Sequence, residues 1–560
     1  MREISAKKLS NISSDLLKLI WSSNPVESTI LGVRDYDDTF GDCSADAFGD
    51  RARKFRQFTF DLAARVDISA LDARQSLDYE LCVALAEKNA IAMDQERYWE
   101  KDPSIYVSNA VWGCMIFMLR EFAPLEERVR IMLGRMREIP ELLAVARQNI
   151  CNPARIFVTI AVETVQGGLP FFKEMVPMLA EQFPLLRKEL LDANDKALRA
   201  VEEFGIWLQT ELLPSADGSF ALGYDAYQQL IFAEHRMTYT PSDLVRLAQN
   251  ALEETEREIK RVAARIDPEV CWKDLIERLK YDHPPKEHLL DAYRSAVESA
   301  RCFVEERDLV TIPDDESLNV TWTPEIERST LPYAAYFPPA PFGKSKAAGF
   351  WVTPVNENAS EAEQLSQLHG HCIHSIPVIA LHEGYPGHHL QLIKQMDTGS
   401  ALAKQMNNSL LLEGWALYCE QMMYEQGFYS DPRVRLFQLK DVLWRAVRVI
   451  IDVGLHTAGM TFDEAVDILV DKACFERVNA IAEVKRYTQT PTQPMTYLLG
   501  KMLILDLKQR MKMQCGREFN LKTFHDQLLS YGSAPPPLIA HYMLTYPAPC
   551  TVREPLRRTA

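Results

Sequence analysis

Six of the twelve histidines fall between positions 369 and 389, and three of them share one run, Leu381-His382-Glu383-Gly384-Tyr385-Pro386-Gly387-His388-His389-Leu390-Gln391. Imidazoles and a carboxylate at this density form the donor set of a transition-metal site, and zinc takes nitrogen and oxygen ligands of this kind. The common zinc-hydrolase spacing, His-Glu-x-x-His, puts two imidazoles on one helical face with the glutamate beside a water. Here the spacing is longer. On an unbroken helix, position 388 lies roughly 120° off the face of 382, and 389 returns to that face about 10 Å further along the axis. Pro386 lacks the N–H that would bond the carbonyl of His382 and its ring clashes there, so the helix must end or bulge just before it, with Gly387 free to take an unusual backbone conformation. Looping out two residues of 384–387 restores an i,i+4 relation between His382 and His388 and leaves Glu383 beside the first.

A tetrahedral catalytic zinc takes three protein ligands, and a carboxylate on the next helix is a common third. Glu413, in Leu411-Leu412-Glu413-Gly414-Trp415-Ala416-Leu417-Tyr418-Cys419-Glu420, lies 31 positions after His382, enough for a helix, a turn and a return. Glu420 is on the same helical face and competes for the role. A solvated helix face is the ordinary fate of a glutamate, yet Glu413 sits in an apolar run where an unpaired carboxylate would be costly to bury.

His-Glu-Gly-Tyr-Pro-Gly-His-His-Leu-Gln followed by Glu-Gly-Trp-Ala-Leu-Tyr resembles the family catalogued as domain of unknown function 885, whose members resemble Glu-zincin peptidases such as thimet oligopeptidase, carboxypeptidase Taq and angiotensin-converting enzyme. Leu31-Gly32 with Asp35-Tyr36-Asp37, Leu455-His456-Thr457-Ala458-Gly459-Met460 and Tyr497-Leu498-Leu499-Gly500-Lys501 resemble that family's patterns in the same order. The resemblance implies a full-length member with zinc (Zn2+) on His382, His388 and Glu413, and Glu383 as the base. It also implies that His389 supports the ligands or meets substrate. Met460 departs from the tryptophan of the family pattern, which implies an altered pocket wall.

The elements that must position these groups read as helices. Residues 1 to about 210 are successive amphipathic stretches punctuated by Pro140, Pro153, Pro170, Pro177 and Pro184, with no fixed repeat period. Turn-rich Leu213-Pro214-Ser215-Ala216-Asp217-Gly218-Ser219 suggests a boundary between an N-terminal helical lobe, 1–213, and a catalytic helical lobe, 214–560, unless the two are continuous. Thr240 caps a helix opened by Pro241, with Asp243 in its first turn. Between about 305 and 357 the character turns to strand, best in Phe350-Trp351-Val352-Thr353-Pro354-Val355, and a short sheet there could line a cleft and pair with extended substrate. One helix is expected from Glu361 to about His374, with His371 and His374 on one face as satisfied core groups; Pro377 opens the next.

Asp431-Pro432 opens a helix that runs to Gly459, and Thr461 with Glu464 makes a capping box for the one after it. Asp452 and His456, four apart, suit a carboxylate orienting an imidazole. A histidine meeting the helix dipole is the plainer reading of His456, and a core phenol that of Tyr497; the family resemblance implies instead that both are candidate donors to a developing oxyanion, and Arg486, Tyr487 and Lys501 beside the Pro-broken 490–494 are candidate substrate contacts, with His389.

Composition bounds the rest. A 47% hydrophobic and 25% charged chain is that of an ordinary globular protein. The formal charge of −16 repels nucleic acid and anionic membrane alike, so neither is an expected partner. Eleven cysteines without any Cys-x-x-Cys pair fit reduced thiols, and a start without an apolar leader points to a cytoplasmic protein. The expected molecule is mostly α, a large multi-helix zincin-like fold with a deep cleft and a small β element before the metal helix. Its expected activity is metallopeptidase-like hydrolysis of a peptide or small amide substrate by a metal-activated water. The rivals are an enzyme tailoring one specialised small-molecule amide or ester, and a non-catalytic helical binding scaffold, against which Glu383 speaks.

Overall fold

Local signals in the sequence set most element boundaries. Thr240 and Thr461 each form a capping box, with Asp243 and Glu464, and open helices Pro241–Ile266 and Phe462–Ala473. Asp431 accepts from the Arg433 amide at the head of Pro432–Thr457, which ends just before Gly459 in the left-handed region. The computed structural model describes residues 2–328, 331 and 333–546, and it is mostly α-helical with one three-stranded sheet among the described residues. No described helix is long and apolar enough to cross a membrane.

The chain divides into two compact units, one formed by residues 1–234 with 340–344 and the other by 235–339 with 345–560. The turn-rich stretch at 213–219 thus lies inside the first unit. That unit is helical and is tied together by Arg135, fully buried, whose guanidinium donates to the carbonyls of Pro25, Gly113 and Thr39 at 2.9 to 3.1 Å and to Thr29 Oγ1 at 2.6 Å. Thr29 in turn donates to Asp37 at 2.6 Å. The Asp35-Tyr36-Asp37 pattern therefore does structural work: it closes a buried cation's hydrogen-bond set, which an isolated charge in a core requires.

The second unit holds the histidine-rich run. Strands β1 (Ser317–Trp322), β2 (Ala334–Phe337) and β3 (Ala347–Val352) form a sheet of order β1-β3-β2, with β1 parallel and β2 antiparallel to β3. The expected Phe350 strand is its centre, which suits its bulky apolar side chains. Val320, Phe350 and Val352 pack on Tyr293 and Val297 of helix Leu289–Glu306 and on Ile376 and Ala380 of helix Ile376–Glu383. The sheet thereby fixes the helix that ends in His382-Glu383.

One helix is shorter than expected. Glu361–His369 stops five residues before His374, so His371 and His374 share no helical face. Both are buried, but only His374 is satisfied, donating to Asp282 at 2.9 Å; His371 meets the Tyr293 hydroxyl through Nδ1 at 3.1 Å and leaves Nε2 buried without a partner.

Candidate metal centre

The first histidine helix, Ile376–Glu383, ends where Pro386 requires, and a second, His388–Met396, starts directly after it. All four residues between them leave the helix, a wider break than a two-residue bulge, with a cis Tyr385–Pro386 bond and the Gly387 amide donating to the Leu381 carbonyl at 3.0 Å. A side chain on Gly387 would run into the carbonyls of His382 and Leu381, so the close return of the chain needs glycine here. The return stacks the His388 ring edge-on against His382, with centroids 4.8 Å apart.

A third helix, Ser409–Glu425, brings the carboxylate. Trp415 Nε1 donates to the Pro386 carbonyl at 2.8 Å, docking this helix on the interrupted turn. Glu413 Oε2 then lies 3.2 Å from His388 Nε2 and 3.9 Å from His382 Nε2. One ligand atom from each of the three residues falls within 4.8 Å of the others. Beside Glu413, Gly414 packs on another helix: a Cβ there would strike the Gly500 backbone of helix Thr496–Cys515. This glycine-to-glycine crossing carries Tyr497 to Glu413, with which it forms a hydrogen bond.

Electrostatics follow from the burial. Desolvation works against the Glu413 charge, but His388, then His382 and the Tyr497 hydroxyl, outweigh it and hold its pKa at about 2. Burial opposes the charge of His388 as well, and Glu413 outweighs it and raises its pKa. Burial, then the Glu413 charge, raises Tyr497, so the phenol keeps its proton and remains a donor.

Glu420 takes a different place from Glu413. It accepts from His382 Nδ1 at 2.8 Å and from Gln438 at 3.3 Å, on the side of the ring away from Glu413. This is the carboxylate–histidine arrangement that fixes the tautomer of a metal-ligating imidazole and leaves Nε2 free to bind. The donor set of two imidazoles and one carboxylate, with Nε2 of His382 aimed at Glu413, fits zinc.

The group opens on a cavity of about 490 Å³ within the second unit, lined among others by Glu383, Tyr336, Trp444, Arg445, Arg448 and Tyr497. Edge strand β2 contributes Ala334, Ala335 and Tyr336 to that wall. Several residues that the sequence nominated for the site lie off it, as the geometry of their helices dictates. His456, expected at the oxyanion, is fully buried and donates to the Tyr487 carbonyl at 3.0 Å; it stands eight residues past Arg448, about 12 Å further along the helix. Tyr487 and Arg486, expected on substrate, instead support Arg448: the Tyr487 hydroxyl accepts from Arg448 Nε at 2.7 Å, and Arg486 donates to Glu483 at 3.0 Å, which also accepts from Arg448.

Lys501, also expected on substrate, is buried away from the cavity wall. Burial, opposed by Glu420, lowers its pKa to about 8. His389 likewise lies behind the wall: its Nε2 donates to Glu316 at 2.6 Å, and its Nδ1 pairs with the Tyr336 hydroxyl at 3.1 Å. Met460 packs against Gly454, so its departure from the family's tryptophan leaves the cavity wall untouched. Tyr336, Trp444, Arg445 and Arg448 line the cavity without having been expected there. Two arginines one turn apart in the apolar run Val442-Leu443-Trp444-Arg445-Ala446-Val447-Arg448-Val449 were the available signal for the last two.

Among solved structures the chain is similar to a protein of Shewanella oneidensis described as a lipoprotein of unknown function, at 25% identity and a TM-score of 0.81 over 96% of this chain and 99% of that one. A second, from Colwellia psychrerythraea and also described as a lipoprotein, shares the fold at 17% identity and a TM-score of 0.81, over 97% and 99% of the two chains. No curated protein matches. The lipoprotein descriptions of these two structures overturn the cytoplasmic expectation. Among the described residues nine cysteines are free thiols, and Cys515 departs from the expectation of reduced cysteines in being disulfide-bonded. The family model described as bacterial protein of unknown function (DUF885) matches residues 25–543, and the chain belongs to that family.

Proposed function

We propose that this protein is a zinc-dependent hydrolase of peptide or related amide bonds. One observation carries the reading: the ligand atoms of His382, His388 and Glu413 converge within 4.8 Å on the wall of a cavity that Glu383 also lines. Bound there, the ion supplies Lewis acidity, polarising a carbonyl and acidifying a water. Glu383, next to the first ligand and facing the cavity, takes the proton of the attacking water on a carboxylate oxygen and returns it to the leaving nitrogen. Glu420 holds His382 in the tautomer that presents Nε2. Tyr497, kept protonated, donates toward the oxygen on which negative charge develops. The edge of β2 offers main-chain hydrogen bonds to an extended substrate beside the triad.

The cavity volume of about 490 Å³ favours short substrates, which keeps a single specialised amide or ester as the second reading. By analogy with its lipoprotein relatives, we place the protein outside the cytosol, and cell fractionation with an antibody tests that placement.

The deciding experiment pairs metal analysis of the purified protein with mass-spectrometric readout of a peptide library. Wild type and Glu383→Gln should both carry stoichiometric zinc, and the variant should turn over about a hundredfold more slowly or worse. A protein that takes up no zinc, or a Glu383→Gln variant of full activity, refutes the assignment and leaves the binding-scaffold reading.

A further inference from the structure

The cavity has a cationic wall that the hydrolytic reading does not use. Arg445 and Arg448 lie one turn apart on helix Pro432–Thr457, both line the cavity, and they are only 8% and 2% exposed. Their guanidinium carbons lie 3.9 and 4.2 Å from the centroid of the Trp444 ring, and 5.5 and 4.3 Å from that of Tyr497. Stacking of this kind fixes the two planar groups before any ligand arrives.

Their hydrogen bonds are incomplete. Arg448 donates through Nε to Tyr487 at 2.7 Å and through Nη2 to Glu483 at 2.8 Å, but its Nη1 is buried with no partner. Arg445 leaves both Nε and Nη1 buried and unpartnered; its nearest carboxylate, Asp441, is 3.6 Å from Nη1, beyond hydrogen-bond range. Three buried guanidinium nitrogens on one cavity wall therefore lack acceptors, a costly state for charged donors. Glu483 balances the charge of Arg448, while Asp441 serves Arg445 only loosely, so the pair has room for one further negative charge. The acceptor that fits a planar guanidinium fork is a two-oxygen anion, foremost a carboxylate.

Position supplies the second half of the argument. Tyr497 hydrogen-bonds Glu413 of the triad and lies under both guanidinium groups, so anion and reacting bond are separated by one phenol side chain. We propose that Arg445 and Arg448 form a subsite for the free terminal carboxylate of the substrate, which makes the protein selective for removing or releasing a carboxy-terminal residue. This inference rests on the hydrolase reading for its reaction and on the arginine pair alone for its binding preference. Glu383, Asp441, Glu413 and Glu420 also line the cavity; the last two are tied to histidines, so the repulsion that an entering carboxylate meets comes from Glu383 and Asp441.

The test uses the full-length Glu383→Gln protein, which binds without rapid turnover, and a panel of N-acetylated tripeptides varied at the last residue. Each peptide is made as the free acid and as the C-terminal amide, binding is measured by calorimetry, and zinc content is measured in every sample. The best free acids should bind at least about tenfold more tightly than their amides, the worth of a charge-assisted hydrogen-bond pair. Adding Arg445→Gln should reduce that preference below about threefold while leaving amide affinity and zinc content unchanged. Arg448→Gln should act in the same direction, with Arg445→Gln deciding the matter if loss of the Glu483 partner unfolds the chain. Acid and amide binding alike across the panel, including no binding of either, overturns the subsite, as does a preference that survives Arg445→Gln. A preference for acids in a protein that holds no zinc keeps the subsite and defeats the hydrolase; zinc without any preference does the reverse.

Discussion

Replacing Glu420 separates the two glutamates that the sequence leaves in competition. Glu420→Ala deletes the 2.8 Å contact to His382 Nδ1 and leaves that nitrogen without its anion, while Glu413 and His388 keep their positions 3.2 Å apart. Loss of such a supporting carboxylate costs roughly 10- to 100-fold in metal affinity, equivalent to about 1.4 to 2.7 kcal/mol. Glu420→Gln preserves the volume and an acceptor oxygen and should fall at the mild end. Glu413→Ala removes one of three ligand atoms and should abolish tight binding. The assay is competition for zinc against a chromophoric chelator at one pH and ionic strength. Thermal unfolding of the metal-free proteins serves as the folding control, because Glu420 also faces the charge of buried Lys501. Wild-type zinc affinity in Glu413→Ala, or abolished binding in Glu420→Ala beside a mild loss in Glu413→Ala, would refute the assignment of ligand and support.

Zinc should be lost in His388→Ala and retained in His389→Ala, whose cost appears as about 1–3 kcal/mol of stability because buried Glu316 loses its 2.6 Å partner; metal stoichiometry and chemical denaturation read the two effects. Gly414→Ala should lower the melting temperature through overpacking of about 1–3 kcal/mol against Gly500 and should slow turnover by displacing Tyr497, and a variant as stable and active as wild type counts against the crossing. Burial raises the pKa of Glu483, but Arg448 and Arg486 outweigh it and hold it well below the ordinary 4.5. A depressed folded pKa gives stability that is present above 4.5 and fades as pH falls through the folded value. The stability difference between wild type and Glu483→Gln should accordingly be full at neutral pH and shrink progressively below pH 4.5, and a difference that grows on acidification reverses the sign of the argument.

The convergence of His382, His388 and Glu413 was legible because its signals are local. Pro386 has no amide hydrogen to donate, so a helix break between His382 and His388 follows from the sequence alone, and the Thr240 cap and the Thr461 capping box form as their spacing implies. The break's extent was less legible: the interrupted turn is held from a distance, Trp415, 29 residues past Pro386, donating to its carbonyl. His456 shows where local reasoning fails. Its spacing from Asp452 suits an oriented imidazole, but which part of a long helix faces the cavity is settled by what crosses it.

By itself the sequence determined the family and the mostly helical class, and it named the three residues whose ligand atoms converge, because each depends on residue chemistry and on spacing within a turn or two. Only the tertiary structure decided that Glu420 supports His382 while Glu413 faces both imidazoles, since the two share a helical face and differ in which neighbour each meets. It also decided the cavity wall. Tyr336 reaches it from a sheet edge, Tyr497 through a crossing of Gly414 on Gly500, and Arg445 and Arg448 by the rotation of one long helix. Contacts between side chains tens to hundreds of residues apart depend on how whole elements cross, and no short stretch of sequence records that angle.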